Sequence, residues 1–253
     1  MLYPIGIQSF EKIRQGGYVY VDKTDLIYKI AKTGQYYFLS RPRRFGKSLL
    51  LSTMEAYFRG RKELFDGLAI ASLEKDWTEY PVLHLDLGGA NYADMDALKE
   101  KLGRQLNDLE SEYGVVRKYK TLPVRFETII EAAYRKTGRQ VVILVDEYDK
   151  PVIDNLDRPE LRDKIREELR GFYGVMKSKD GCIRLGFLTG VTKIGKMSVF
   201  SDLNNPKDIS MDSRYTDICG VSETDLTDCF AESVRKLAEA NGLSEEECRQ
   251  KLA

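Results

Sequence analysis

Apolar and polar positions follow two rhythms along this chain, and each rhythm predicts a different element. Short apolar runs with little polar interruption mark strands at 35–40 (QYYFLS), 81–87 (PVLHLDL), 140–147 (QVVILVDE) and 182–190 (CIRLGFLTG). The third is a β-branched run without alternation, the pattern of a central parallel strand buried on both faces. Pro81 opens the second, where a missing N–H is tolerated. The stretch YTDICG (215–220) predicts a short last strand.

Apolar steps of three and four residues mark helices. Met95, Leu98, Leu102, Leu106 and Leu109 place one over 93–112. Phe126, Ile129, Ile130 and Ala133 place a second, and Leu161, Ile165, Leu169, Phe172 and Met176 a third near 158–178. LLLSTMEAYF (49–58) and SETDLTDCFAESVRKLAEA (222–240) read as further helices. The first 34 residues predict a short helix at 10–14, a turn at Gly16-Gly17, an extended YVYV and another helix. That helix carries Leu26, Ile27, Ile30 and Ala31 on one side, with Asp22 or Thr24 as its cap and Gly34 as its stop. Strands alternating with helices predict an α/β fold: a mainly parallel sheet, covered by helices on both faces, with right-handed crossovers. In such a sheet the site lies at the carboxyl ends of the strands.

Composition narrows the function classes. Of 253 residues, 42% are hydrophobic and 32% charged, enough to fill one sizeable core. Forty basic and forty acidic residues cancel, so no bulk field draws the chain to nucleic acid or to an anionic membrane. A local basic patch, Arg41, Arg43 and Arg44, keeps a nucleic-acid-binding module open as an alternative. No apolar run approaches the ~18 residues that span a bilayer, so no membrane partner is expected. The N-terminus lacks the basic segment and apolar run of a signal peptide. Cys182, Cys219, Cys229 and Cys248 are scattered, and His84 is the single histidine, which argues against zinc and suits a reducing cytoplasm. His84 reads as a hydrogen-bonded core residue, and Trp77, Tyr36, Tyr37 and Phe38 as packing.

Three strand ends carry candidate chemistry. After the first strand, SRPRRFGKSLLL ends a loop in Gly46-Lys47-Ser48 and opens an apolar helix. Backbone N–H groups in such a loop converge on phosphate, and the helix dipole adds to them. Gly46 lets the backbone approach, Lys47 supplies charge to the β- and γ-phosphates, and Ser48 offers a hydroxyl to Mg2+. The third strand ends in Asp146-Glu147: Asp146 suits Mg2+, through a water, and Glu147 suits a base that takes a proton from the attacking water. Both motifs stand in the right order on adjacent βα units. Asp149 either supports the metal indirectly or caps the helix beginning near Pro151. Thr189 and Thr192 either reach the γ-phosphate and orient the water, or form an ordinary polar strand exit. Lys193, Lys196 and Arg214 read as solvated cations or as neutralisers of phosphate charge.

With these residues in place, the chain resembles the bacterial AAA-ATPase-like family, itself similar to the archaeal-type ATPases and the STAND group of NTPases. The resemblance runs through PIGIQSFEKIRQGGYVYVDKT, YYFLSRPRRFGKSLLLSTMEAYFRGRKELFDGLAI, YPVLHLDL, VVILVDEYDKPVID and FLTGVTKIGKMSVFSDLNN. It implies a P-loop NTPase of ASCE/AAA-like type that binds ATP with Mg2+. Phosphate binding falls to Arg41, Pro42, Arg43, Arg44, Phe45, Gly46, Lys47, Ser48 and Leu49. The metal falls to Ser48 and Asp146, and water activation to Glu147; Lys47 and Thr189, from the strand-end reading above, complete the expected catalytic set. Arg41, where a leading glycine is usual, is the family's own residue. Asp22-Lys23-Thr24 is expected near the nucleotide. The implied layout is an N-terminal segment (1–34), an ATPase core (35–221) and the start of a helical lid (222–253), within which Ser244 and Glu247 have capping-box spacing. The PD-(D/E)XK-type nuclease domain common in the family is missing, so the chain reads as a truncated form or a short paralogue. The expected activity is ATP hydrolysis that controls an effector domain; the alternative is a slow nucleotide switch with little turnover.

Overall fold

The computed structural model describes residues 2–192 and 206–252. In chain order the elements are α1 (Phe10–Gln15), α2 (Thr24–Thr33), β1 (Tyr36–Ser40), α3 (Lys47–Phe58), α4 (Ala69–Leu73), β2 (Val82–Asp86), α5 (Met95–Tyr113), α6 (Leu122–Thr137) and β3 (Val141–Asp146). There follow α7 (Lys150–Ile153), α8 (Pro159–Ser178), β4 (Ile183–Gly190), β5 (Lys207–Asp208), α9 (Glu223–Asp228), α10 (Ala231–Asn241) and α11 (Glu245–Leu252). The five strands form one sheet in the order β2-β3-β4-β1-β5, and every pairing is parallel.

The uninterrupted apolar runs are explained by two covered faces. All six residues of β3 are buried. Its alternate side chains feed opposite layers: Val141, Ile143 and Val145 meet α5, α6 and α8, while Val142 and Leu144 meet α2, α3 and α4. β1 divides likewise, Tyr36 and Phe38 to the first layer, Tyr37 and Leu39 to the second. Trp77 packs edge-on against Tyr57, as a packing residue should. His84 Nδ1 lies 2.8 Å from Glu55 Oε2, half-buried.

Four expectations need correction. The Lys47 and Asp146 motifs are not on adjacent units, because β4 lies between β1 and β3. The stretch YTDICG is not a strand: Ser213–Ile218 is a 3-10 turn. Tyr215 and Ile218 are buried while Thr216 and Asp217 are exposed, a three-residue period that a strand cannot present. The last strand is instead the short β5. The helix at 222–240 is two helices, α9 and α10, because Phe230 leaves helical geometry (φ −119°, ψ 9°) and stacks on Tyr3. Asp149 stands at the head of α7, but its side chain makes no cap hydrogen bond. Ser244 and Glu247 do form their capping pair. No helix among the described residues is long and apolar enough to cross a membrane.

Candidate functional site

β1 delivers the loop to the carboxyl edge of the sheet. Its ladder runs one residue past the strand, Arg41 N–H donating to Gly190 O at 3.1 Å. The chain then turns through 42–46 and enters α3 at Lys47. Gly46 takes φ +84° and Arg44 φ +66°; the second is a left-handed conformation that costs a non-glycine residue ~1 kcal/mol. Gly46 offers no side-chain cap to α3. Among the described residues no acceptor meets the N–H groups of Arg43, Arg44, Phe45 and Gly46. The loop and the first turn of α3 therefore present a set of unpaired N–H donors, backed by the helix dipole.

Lys47 is 5% exposed, and its ammonium donates to Arg41 O at 3.0 Å and Pro42 O at 2.9 Å. These two bonds fix the ammonium under the loop and leave one of its three donors free. Ser48 is half-buried, and Pro42, Arg43, Arg44 and Phe45 are exposed. Arg214 forms an exposed ion pair with Asp212. Lys193 and Lys196 lie outside the described residues.

The carboxylates stand two strands away on the same edge. Leu39 is level with Thr189 and Ser40 with Gly190, while Val145 is level with Leu188. Two strand spacings of ~4.8 Å put the ends of β1 and β3 about 10 Å apart. Asp146 is buried, and its Oδ1 accepts from Thr189 Oγ1 at 2.5 Å and from Glu147 N at 3.0 Å. Thr189 is fully buried, so its hydroxyl is committed to Asp146. Glu147 takes φ +52°, a second left-handed non-glycine residue at this edge. Burial, then the Asp146 and Asp86 carboxylates, push its carboxyl above the usual range, against the pull of Lys47 and Lys150. Lys47 thus lies within electrostatic reach of Glu147.

A sequence profile of the family described as predicted AAA-ATPase matches residues 4–200. The chain belongs to this family. A protein of Azotobacter chroococcum mcd 1, named as an uncharacterized protein in the vnfD 5' region, is 45% identical over 248 residues. The matched region is 97% of this chain and 47% of that relative, so the chain spans about half the relative's length. No solved structure matches. The five-stranded parallel sheet flanked by helices is consistent with the P-loop fold of such AAA-ATPase-like proteins.

The rest of the site in this AAA-ATPase-like chain comes from residues far apart in sequence. The Arg41 guanidinium turns away from the loop and donates to the carbonyls of Ser40, Ser210, Tyr215 and Thr216. It ties the loop to the segment that follows β5. That segment continues into Ile218, Cys219 and Gly220, which with Tyr3, Tyr20, Lys23, Phe45, Leu49 and Phe230 line a cleft of about 380 Å³ beside Gly46. At Gly220 (φ +87°) a Cβ would sit 3.4 Å from the Phe45 ring. Burial pushes the Cys219 thiol up to about 12, although Arg41 and Lys47 pull it down. Asp149 accepts from Val191 N, Thr192 N and Thr192 Oγ1, so it holds the chain leaving β4. A Cβ at Gly190 would lie 2.5 Å from the Tyr148 ring and 2.8 Å from Asp149 Oδ1, so a glycine lets that turn close over β4.

Asp86 was missed from sequence, although a readable signal existed: an acidic residue at the tip of a parallel strand, in register with Asp146. Gly88 was missed too. A Cβ there would lie 2.9 Å from Asp86 Oδ1 and 3.1 Å from Glu147 Oε2.

Proposed function

We propose that the chain binds ATP with Mg2+, hydrolyses it, and thereby sets the state of an effector domain. The observation that carries this reading is the convergence, at one sheet edge, of an open donor loop, the Lys47 ammonium and the Asp146–Glu147 carboxylates. The N–H groups of 43–48 suit phosphate oxygens, and Lys47 suits the β- and γ-phosphates. Ser48 and Asp146 would hold the metal, which when bound offsets charge on the phosphoryl oxygens. The residues fit such an ion. Mg2+ binds through one or two protein oxygens and completes its shell with phosphate and water. Accordingly, no cage of three or more acidic, His or Cys ligands is needed, and none occurs among the described residues.

Glu147 accepts the proton of the attacking water; burial and the neighbouring carboxylates raise its pKa and make it a stronger base than an ordinary glutamate. Thr189 acts through Asp146, whose orientation it fixes. The apolar cleft beside Gly46 is the space for base and ribose. On this reading 1–34 is a segment packed on a core of 35–221, and 222–253 begins a helical lid. The effector belongs to the same proposal, since the matched relative extends well beyond the aligned region.

Isothermal titration with ATP, with and without Mg2+, tests binding, and phosphate release tests turnover. Lys47→Ala should abolish binding. Glu147→Gln should bind ATP normally and lose about 100-fold or more in turnover, the usual share of a general base. Wild-type hydrolysis by Glu147→Gln would show that another group takes the proton.

A further inference from the structure

We propose that Lys23 and Asp225 form a charge clasp that holds α9 beside the cleft and slows the escape of bound nucleotide. The proposal rests on the nucleotide reading above. Lys23 Nζ donates to Asp225 Oδ2 at 2.6 Å, with each side chain 13% exposed. The two residues are 202 positions apart, and their bond joins the segment before α2 to the first helix after the core. Lys23 also lines the cleft.

Both partners are held independently of each other. Lys23 rides on a fixed turn: Asp22 Oδ1 accepts from Thr24 N at 2.9 Å and Thr24 Oγ1 at 2.7 Å, and Asp22 Oδ2 accepts from Ala69 N at 2.7 Å. Asp225 closes the capping box of α9. Its Oδ2 accepts from Ser222 N at 2.7 Å and Ser222 Oγ at 2.8 Å, and its own N–H donates back to Ser222 Oγ. One carboxylate oxygen thus caps α9 and clasps Lys23. Burial opposes ionisation of Asp225, but these donors outweigh it and hold the carboxyl below its usual range. A second tie runs beside the first. Tyr3 stacks on Phe230 with ring centroids 6.2 Å apart, and its hydroxyl bonds to Ser233. The clasp and this stack place the N-terminal segment and the C-terminal helices together along the cleft wall. Lys23 is therefore a positioning residue: its ammonium is held by Asp225 through one of its three donors, and its effect on nucleotide passes through α9.

The test is stopped-flow release of a fluorescent ATP analogue from the full chain. Lys23→Ala and Asp225→Asn should each speed release by about 5- to 10-fold, the scale of one half-buried ion pair. Ser222 remains the N-cap of α9, and the asparagine amide oxygen still accepts from Ser222 N–H, so the capping box is kept. The double variant should release no faster than either single one, and Lys23→Arg should stay within about 2-fold of wild type. Unchanged or slower release from Asp225→Asn, with fast release from Lys23→Ala, would make Lys23 a phosphate ligand and overturn the clasp. If the wild-type chain binds no nucleotide, the functional reading fails and the clasp is judged by amide hydrogen exchange over 222–229 without nucleotide. Faster exchange in Lys23→Ala then supports it, and unchanged protection refutes it.

Discussion

Thr189→Val tests the buried bond at the heart of the acid pair. The swap keeps the branched shape and removes only the hydroxyl that donates to Asp146 Oδ1 at 2.5 Å. The pair is fully enclosed at Thr189 and nearly so at Asp146, so little solvent replaces the lost donor. A hydrogen bond to a charged group contributes ~1.5–3 kcal/mol. Asp146 keeps the Glu147 N–H at 3.0 Å, which favours the lower half of that range, about 2 kcal/mol. For a chain of this size each kcal/mol shifts Tm by roughly 2–4 °C, so melting should fall by about 4–8 °C. Thr189→Ser should recover most of it. A double-mutant cycle locates the effect: in an Asp146→Ala background Thr189→Val should cost well under 1 kcal/mol, since its partner has gone. Calorimetry of the four proteins gives the cycle. Equal costs of Thr189→Val in both backgrounds would show that the hydroxyl does not act through Asp146.

Glu147→Gln should melt above wild type at pH 7.5 while losing turnover. The folded-state carboxyl is raised by burial and by Asp146 and Asp86, so the unfolded chain ionises first. The wild type therefore loses stability as pH rises through the unfolded value of about 4.3 toward the folded one. Glutamine does not, so the gap in Tm should close as pH falls toward 4; a variant less stable at pH 7.5 would contradict the shift. Cys219 should be among the slowest thiols to alkylate. With its pKa pushed up to about 12 by burial, roughly one thiol in ten thousand is ionised at pH 8, against about a quarter for an ordinary cysteine. Timed alkylation read by mass spectrometry checks this, and labelling of Cys219 as fast as Cys182 would refute it.

The sheet was legible because strands buried on both faces must be apolar throughout; β3 needs no alternation when α3 and α8 lie on opposite sides of it. Helices α5, α6 and α8 were legible for the complementary reason, one buried stripe each. The loop and the acid pair announce themselves in consecutive residues. What stayed hidden is long-range. Nothing near Arg41 shows that its guanidinium serves carbonyls such as that of Ser210, 169 residues later. Asp22-Lys23-Thr24 was placed near the nucleotide by resemblance alone; two of its contacts, to Ala69 and Asp225, are made by tertiary folding. The short strand β5 was missed because two residues pair too briefly to leave a rhythm. The break between α9 and α10 was missed because Phe230 fits the helical pattern and is turned out of it by a distant ring.

The anchored first position of the loop has an entropic consequence. A glycine at 41 would leave this bend free to sample many shapes until an anion selected one. The arginine, tethered through its side chain to the strand β1 and the post-β5 segment and through its carbonyl to Lys47, gives up that freedom when the polypeptide folds. On the proposed nucleotide reading, a phosphate would then meet a bend already fixed, and the disorder surrendered on association would be smaller. On the same reading the tether would also narrow tolerance, since a bend fixed at its first position would disfavour anions that require it to reshape.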